Sequence, residues 1–112
     1  MKNELLHVEK LKVLDYLLNK DKSRGKAAFF MKMGFKASHW EILAQALEAQ
    51  ATSGTVSSTV ESPYGTRYTV DGPIETPNKR LPMPNIRTVW IRESDTDILR
   101  LVTAYPLKGD MP

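Results

Sequence analysis

Three residues near the carboxyl end of the sequence carry polar groups that could bind or transform a ligand. Arg100, Thr103 and Tyr105 lie in the segment Arg100–Pro106, whose Val, Thr and Tyr residues are typical of a β-strand. A strand usually buries at least one face, so these polar groups would lie beside the core. The pattern permits an interior strand with hydrogen-bonded polar atoms, or the floor of an active site. Strict alternation places Arg100 on the face opposite Thr103 and Tyr105 unless a bulge interrupts the strand.

Basic residues are concentrated in two stretches, although the formal net charge is only +3. Residues 20–36 contain six Lys or Arg and one Asp, and residues 79–92 contain four Lys or Arg and no acid. Such local charge favours a polyanion, most often nucleic acid, although lysines that only solvate the surface give the same pattern. Lys26 lies in the first turn of a predicted helix, where backbone N–H groups attract anions. An exposed lysine at a helix start is the alternative interpretation of this residue.

The elements that would position these residues are three helices followed by four strands. Helical spacing of apolar residues predicts helices over residues 5–19, 23–34 and 38–53. The third begins with a capping box at Ser38 and Glu41. Alternation and turn residues predict strands over residues 55–62, 66–70, 86–92 and 100–105, with a proline-rich loop at 74–85. We therefore expect an α+β fold, with three N-terminal helices packed on one face of a four-stranded antiparallel sheet.

Length and composition indicate one domain over residues 1–112, with residues 1–4 and 108–112 frayed. The sequence has no cysteine, which excludes disulfides, thiolate metal sites and cysteine nucleophiles. Two histidines and no carboxylate cluster at ligand spacing argue against a metal site, and we expect no cofactor. There is no apolar run of about 18 residues and no signal-peptide core, which predicts a cytoplasmic protein without a membrane partner.

Several segments, in this order, resemble a small bacterial domain family of unknown function. They are Leu14–Asn19, Gly25–Phe30, Gly34–Phe35, Tyr64–Tyr68, Gly72–Pro73, Arg87–Ile91 and Arg100–Pro106. The family occurs as short stand-alone proteins and as the carboxy-terminal toxin module of larger secreted proteins. It looks like a member of the barnase–EndoU–colicin–RelE (BECR) group of ribonucleases, whose fold has amino-terminal helices followed by a four-stranded antiparallel sheet.

The resemblance implies a metal-independent endoribonuclease toxin of a toxin–antitoxin or polymorphic toxin system. Its partners would be an RNA substrate and a small cognate antitoxin or immunity protein. Such enzymes use the 2′-hydroxyl of the RNA as nucleophile, so the protein supplies a base, an acid and cations around the phosphorane.

The resemblance also implies roles for particular residues. Lys26 and Arg100 would neutralise charge in the transition state, since arginine can hold two phosphate oxygens at once. Thr103 would orient the phosphate and Tyr105 would protonate the leaving oxygen. Contacts to RNA are expected from Arg67, Arg87 and Thr88. The alternative is a non-catalytic nucleic-acid-binding or antitoxin-like module that uses the same basic surface without cleaving.

Overall fold

A computed structural model describes residues 5–107 and contains one mixed five-stranded sheet. Its strands are β1 (Leu5–His7), β2 (Thr55–Ser62), β3 (Gly65–Pro73), β4 (Asn85–Glu93) and β5 (Ile98–Pro106). They lie in the order β1-β5-β4-β3-β2, with β1 parallel to β5 and all other neighbours antiparallel. The fold is α+β, but the prediction of three N-terminal helices packed on a four-stranded antiparallel sheet is wrong, because a fifth strand precedes the helices and pairs in parallel with β5.

Three helices occur in the described residues, of which one is short and two lie in the middle of the chain. They are α1 (Lys10–Lys12), α2 (Arg24–Lys32) and α3 (Trp40–Ser53), with a π-helical segment at Val13–Leu17 and a 3₁₀ turn at Ala37–His39. The predicted first helix is too long because residues 5–7 pair with β5 instead of extending it. The capping box is also wrong, since Ser38 lies in the 3₁₀ turn and His39 precedes α3 without a side-chain cap.

The hydrophobic core lies between the helices and one face of the sheet. Helix α3 packs against β3 and β4, and α2 packs against β5. Three aromatic residues are among the largest fully buried side chains: Phe29, Phe30 and Trp90. The other face of the sheet carries no helix from the described residues and is left for solvent or a ligand. Sequence alternation correctly predicted the β2–β3 hairpin, and the loop between β3 and β4 also lies where its prolines indicated.

An irregularity in β5 decides which of its residues share a face. Thr103 and Leu101 pair with consecutive residues of β4, so Val102 is left unpaired in the described sheet. This β-bulge shifts the alternation by one residue. Leu101 consequently points into the core, and Arg100 joins Thr103 and Tyr105 on the open face. Strict alternation had placed Arg100 on the opposite face.

Candidate functional site

Four polar side chains meet where β5 continues past the end of β1. Within the described residues β1 pairs only with Ile98–Arg100, so the later part of that edge of β5 has no strand beside it. Lys26 reaches this edge from α2. Its Nζ donates to Tyr16 Oη at 2.5 Å and to Thr103 Oγ1 at 3.2 Å, and lies 5.7 Å from the ring centre of Tyr105. We call Tyr16, Lys26, Thr103 and Tyr105 the Lys26 cluster.

Tyr16 was missed by sequence reasoning, and a π-helical turn positions it. The amide of Leu18 donates to the carbonyl of Val13 at 2.8 Å, five residues back, so one extra residue enters this turn. Val13 and Leu17 remain buried, while Tyr16 lies half-buried at the edge of the core. The hydroxyl of Ser23 donates to the backbone carbonyl of Tyr16 and ties the following loop to it. The leucine spacing predicts helical structure here, but it does not indicate a π turn.

Positive charge around Tyr16 alters its acidity. The hydrogen bond from the Lys26 ammonium is the main influence and lowers the pKa of Tyr16, whereas burial opposes this shift. The hydrogen bond with Thr103 and the charges of Lys26 and Lys12 lower this pKa further. Both cations also lie near the ring, with Lys26 Nζ at 4.9 Å and Lys12 Nζ at 5.3 Å from its centre. Tyr16 therefore ionises to its phenolate form more readily than an isolated tyrosine does.

The Lys26 cluster opens into a concave pocket of about 500 Å³. The pocket is formed by the start of α2, the loop before it and the end of β5. Its lining carries the basic residues Lys22, Arg24 and Lys26 beside the rings of Tyr16 and Tyr105. The combination of cations, phenols and exposed backbone at a helix start suits an anionic ligand with a planar group.

Arg87 connects the Lys26 cluster to a neighbouring carboxylate. Arg87 is opposite Tyr105 in the β4–β5 ladder and opposite Asp71 in the β3–β4 ladder. Its Nε and Nη2 donate to the two carboxylate oxygens of Asp71 at 2.7 and 2.9 Å. This bidentate bond lowers the pKa of Asp71 despite the opposing effect of burial, and with the bond to Tyr105 it raises the pKa of Arg87. Arg87 therefore holds Tyr105 in place, and Asp71 offsets the positive charge of Arg87.

Arg100 and Arg67 lie on the same open face but outside the Lys26 cluster. The guanidinium of Arg100 contacts the carboxylates of Glu9, at 3.4 Å, and Glu93. The β-bulge thus places Arg100 on the face that the catalytic prediction requires, but its charged group binds two acids. Arg67 is exposed in β3, opposite Ile91.

Thr88 lies in the core and away from the Lys26 cluster. Its side chain is fully buried; its hydroxyl donates to Gln50 Oε1 at 2.7 Å and accepts from Trp90 Nε1 at 2.8 Å. Gln50 in turn donates to the carbonyls of Val70 and Ile86. The structure therefore places the Thr88 hydroxyl on the core face of β4, and the RNA contact expected from this residue stays a prediction.

Neither a metal site nor a membrane-spanning helix is found in the part of the chain that the structure describes. Across residues 5–107, no three His, Asp or Glu side chains are grouped so that they could hold a metal ion. Over the same residues, no helix is long and apolar enough to cross a membrane.

Comparison with known proteins identifies a family for this chain and a solved structure that shares its fold. A chain of a contact-dependent growth inhibition toxin–immunity protein complex from Klebsiella pneumoniae 342 superposes with a TM-score of 0.71. The alignment covers 89% of this chain and 98% of that chain at 14% sequence identity, which establishes a shared fold. No curated protein is significantly similar in sequence. Residues 1–108 match the family described as "Domain of unknown function (DUF6883)". The expected resemblance to a domain of unknown function is thereby confirmed, and the protein belongs to the DUF6883 family.

Proposed function

We propose that this protein is a metal-independent endoribonuclease toxin of the BECR type that acts on cytoplasmic RNA. The observation that carries the proposal is the Lys26 cluster, in which an ammonium group, two phenols and a hydroxyl converge beside a basic pocket. These groups can transfer protons and stabilise phosphorane charge without any further component.

The reaction that fits this cluster is attack of an RNA 2′-hydroxyl on the adjacent phosphorus. The new 2′-O–P bond forms as the P–O5′ bond breaks, which gives a 2′,3′-cyclic phosphate and a 5′-hydroxyl. Lys26 would neutralise the phosphorane oxygens, and Thr103 would donate a hydrogen bond to the same phosphate. Tyr105, held by Arg87, would lie against the leaving side of the phosphate. Arg67 on the open face would contact the RNA backbone beyond the cleavage site.

The structural relative supports a place in a toxin–immunity system. A solved chain with this fold belongs to a toxin–immunity protein complex. A nuclease that acts on cytoplasmic RNA would damage the cell that makes it, so a small cognate immunity protein or antitoxin is its expected partner. The same relative favours a second candidate, because the complex contains two kinds of protein. This chain would then be a non-catalytic, immunity-like or antitoxin-like module.

The test is incubation of the purified protein with total cellular RNA in excess EDTA. We expect fragments that end in 2′,3′-cyclic phosphate, and an approximately 10²–10³-fold slower reaction for Lys26→Met. Lys32→Met is the matched control, because Lys32 is exposed in the last turn of the same helix. Intact RNA, from protein that is folded and free of a copurified inhibitor, would reject the nuclease and favour the non-catalytic module.

A further inference from the structure

Two phenols lie near Lys26, and their environments differ. Tyr16 Oη is 2.5 Å from Lys26 Nζ, at the short end of the hydrogen-bond range. Tyr105 contacts Lys26 only through its ring and forms its hydrogen bond with Arg87. An ammonium that donates directly to a phenol stabilises the phenolate, and the same bond provides a path for a proton between the two groups.

The geometry points to Tyr16 as the general base and Lys26 as the general acid of RNA cleavage, joined as one proton-transfer pair. This inference rests on the proposed ribonuclease function and goes beyond it. It assigns to Tyr16 a catalytic role that neither the sequence nor the family resemblance gives it. It also transfers the acid role from Tyr105 to Lys26.

The steps balance without any additional reactant. The Tyr16 phenolate accepts the 2′-hydroxyl proton while the 2′-oxygen forms its bond to phosphorus. The Lys26 ammonium gives a proton to the 5′-oxygen as the P–O5′ bond breaks. The enzyme is then left with a neutral phenol and a neutral amine, and the phenol proton moves across the 2.5 Å hydrogen bond to restore the starting pair. The 2′-hydroxyl proton is thus replaced by a 5′-hydroxyl proton, with no net change in the protein.

The electrostatic surroundings of Tyr16 support the base role. The charged or titratable groups around it are Lys12 from the preceding turn, Lys26 and Arg24 from α2, Lys22 from the loop before α2, and Tyr105 from β5. Of these groups, Lys26 and Lys12 lower the pKa of Tyr16, Lys26 chiefly through its hydrogen bond. A phenol with a lowered pKa is a larger fraction phenolate near neutrality.

The experiment compares two RNA substrates of one sequence, spanning a site mapped in the EDTA assay. One has the natural 5′-bridging oxygen, and the other has sulfur at that position, whose thiolate leaves without protonation. We expect Tyr16→Phe to cleave both substrates about 10²–10⁴-fold more slowly than the wild type. Lys26→Met should be equally slow with oxygen and recover at least about tenfold with sulfur. Tyr64→Phe is the control, because this tyrosine is 81% exposed at a hairpin turn.

A second readout tests the pair without turnover. Titration of tyrosinate absorbance should show one of the four tyrosines ionising at lower pH than the rest. That transition should disappear in Tyr16→Phe and move to higher pH in Lys26→Met, each variant first shown to be folded by circular dichroism. Wild-type cleavage rates in Tyr16→Phe, or sulfur rescue of Tyr16→Phe but not of Lys26→Met, would overturn the inference and leave the ribonuclease proposal intact. Failure of the wild type to cleave RNA would reject both.

Discussion

Replacement of Thr88 by valine tests whether this residue serves the core or the RNA. Thr88 connects two buried side chains: its hydroxyl donates to Gln50 Oε1 and accepts from Trp90 Nε1. Valine preserves the shape of the side chain but removes both hydrogen bonds. The substitution therefore leaves one acceptor and one donor without partners in a region where Gln50 is 2% exposed and Trp90 is fully buried.

The expected cost follows from these two unsatisfied groups. Each buried polar atom without a partner costs about 1–3 kcal/mol. The additional buried methyl group offsets about 1 kcal/mol of that loss. Together these effects give a loss of about 1–5 kcal/mol, and from the middle of that range we expect Thr88→Val to lower the free energy of unfolding by about 2–4 kcal/mol. For a domain of this size, such a change lowers Tm by about 10–20 °C.

Chemical denaturation with urea, followed by circular dichroism, measures this change directly. Thr59→Val is the matched control, because Thr59 lies on exposed strand β2 and should change stability by less than about 0.5 kcal/mol. At a temperature where Thr88→Val remains folded, its RNA cleavage rate should equal that of the wild type. Unchanged stability together with slower cleavage would refute the structural interpretation and return Thr88 to the RNA-binding surface.

Two further predictions concern the open face of the sheet. The pKa of Asp71 is lowered in the folded state, chiefly by its hydrogen bonds with Arg87, so its stabilising effect is complete above the unfolded-state pKa near 3.8. It is lost as pH falls through the lower folded-state pKa. Asp71→Asn should therefore lower the unfolding free energy at pH 7 by about 1 kcal/mol, with the difference shrinking below about pH 4 in urea titrations. A difference that is constant with pH would contradict this assignment. Because two glutamates already bind its guanidinium, Arg100→Ala should slow cleavage by less than about tenfold, against about a hundredfold or more for Lys26→Met. Equal losses in the two variants would place Arg100 at the scissile phosphate.

The structure brings together three of the four residues for which the family resemblance implies a catalytic role. Lys26, Thr103 and Tyr105 come together although Lys26 and Thr103 are 77 residues apart in the sequence. The sequence did not indicate that Tyr16 is the fourth member of the Lys26 cluster. In the sequence, a tyrosine in a leucine-rich helical segment indicates only a residue at the boundary between the buried and exposed faces of a helix. Its relevance depends on the lysine that reaches it from another element.

Features that depend on near neighbours in the chain could be predicted from the sequence alone. Alternating residues around the Pro63–Gly65 turn predicted the β2–β3 hairpin, and the apolar spacing from Leu43 to Ala51 predicted α3. Alternation likewise predicted β4 and β5. These patterns are local, because a turn or a helix face is specified within a few residues.

Which distant segments share a sheet or a site could be seen only in the folded protein. Leu5–His7 satisfies a helical pattern as well as an extended one, and pairing with β5 makes it a strand. The bulge at Val102 moves Arg100 to the open face because β4 fixes the register on both sides of it. Thr88 is held in the core by Gln50, which lies 38 residues earlier. Each outcome depends on contacts between segments far apart in the chain, and no local periodicity encodes such contacts.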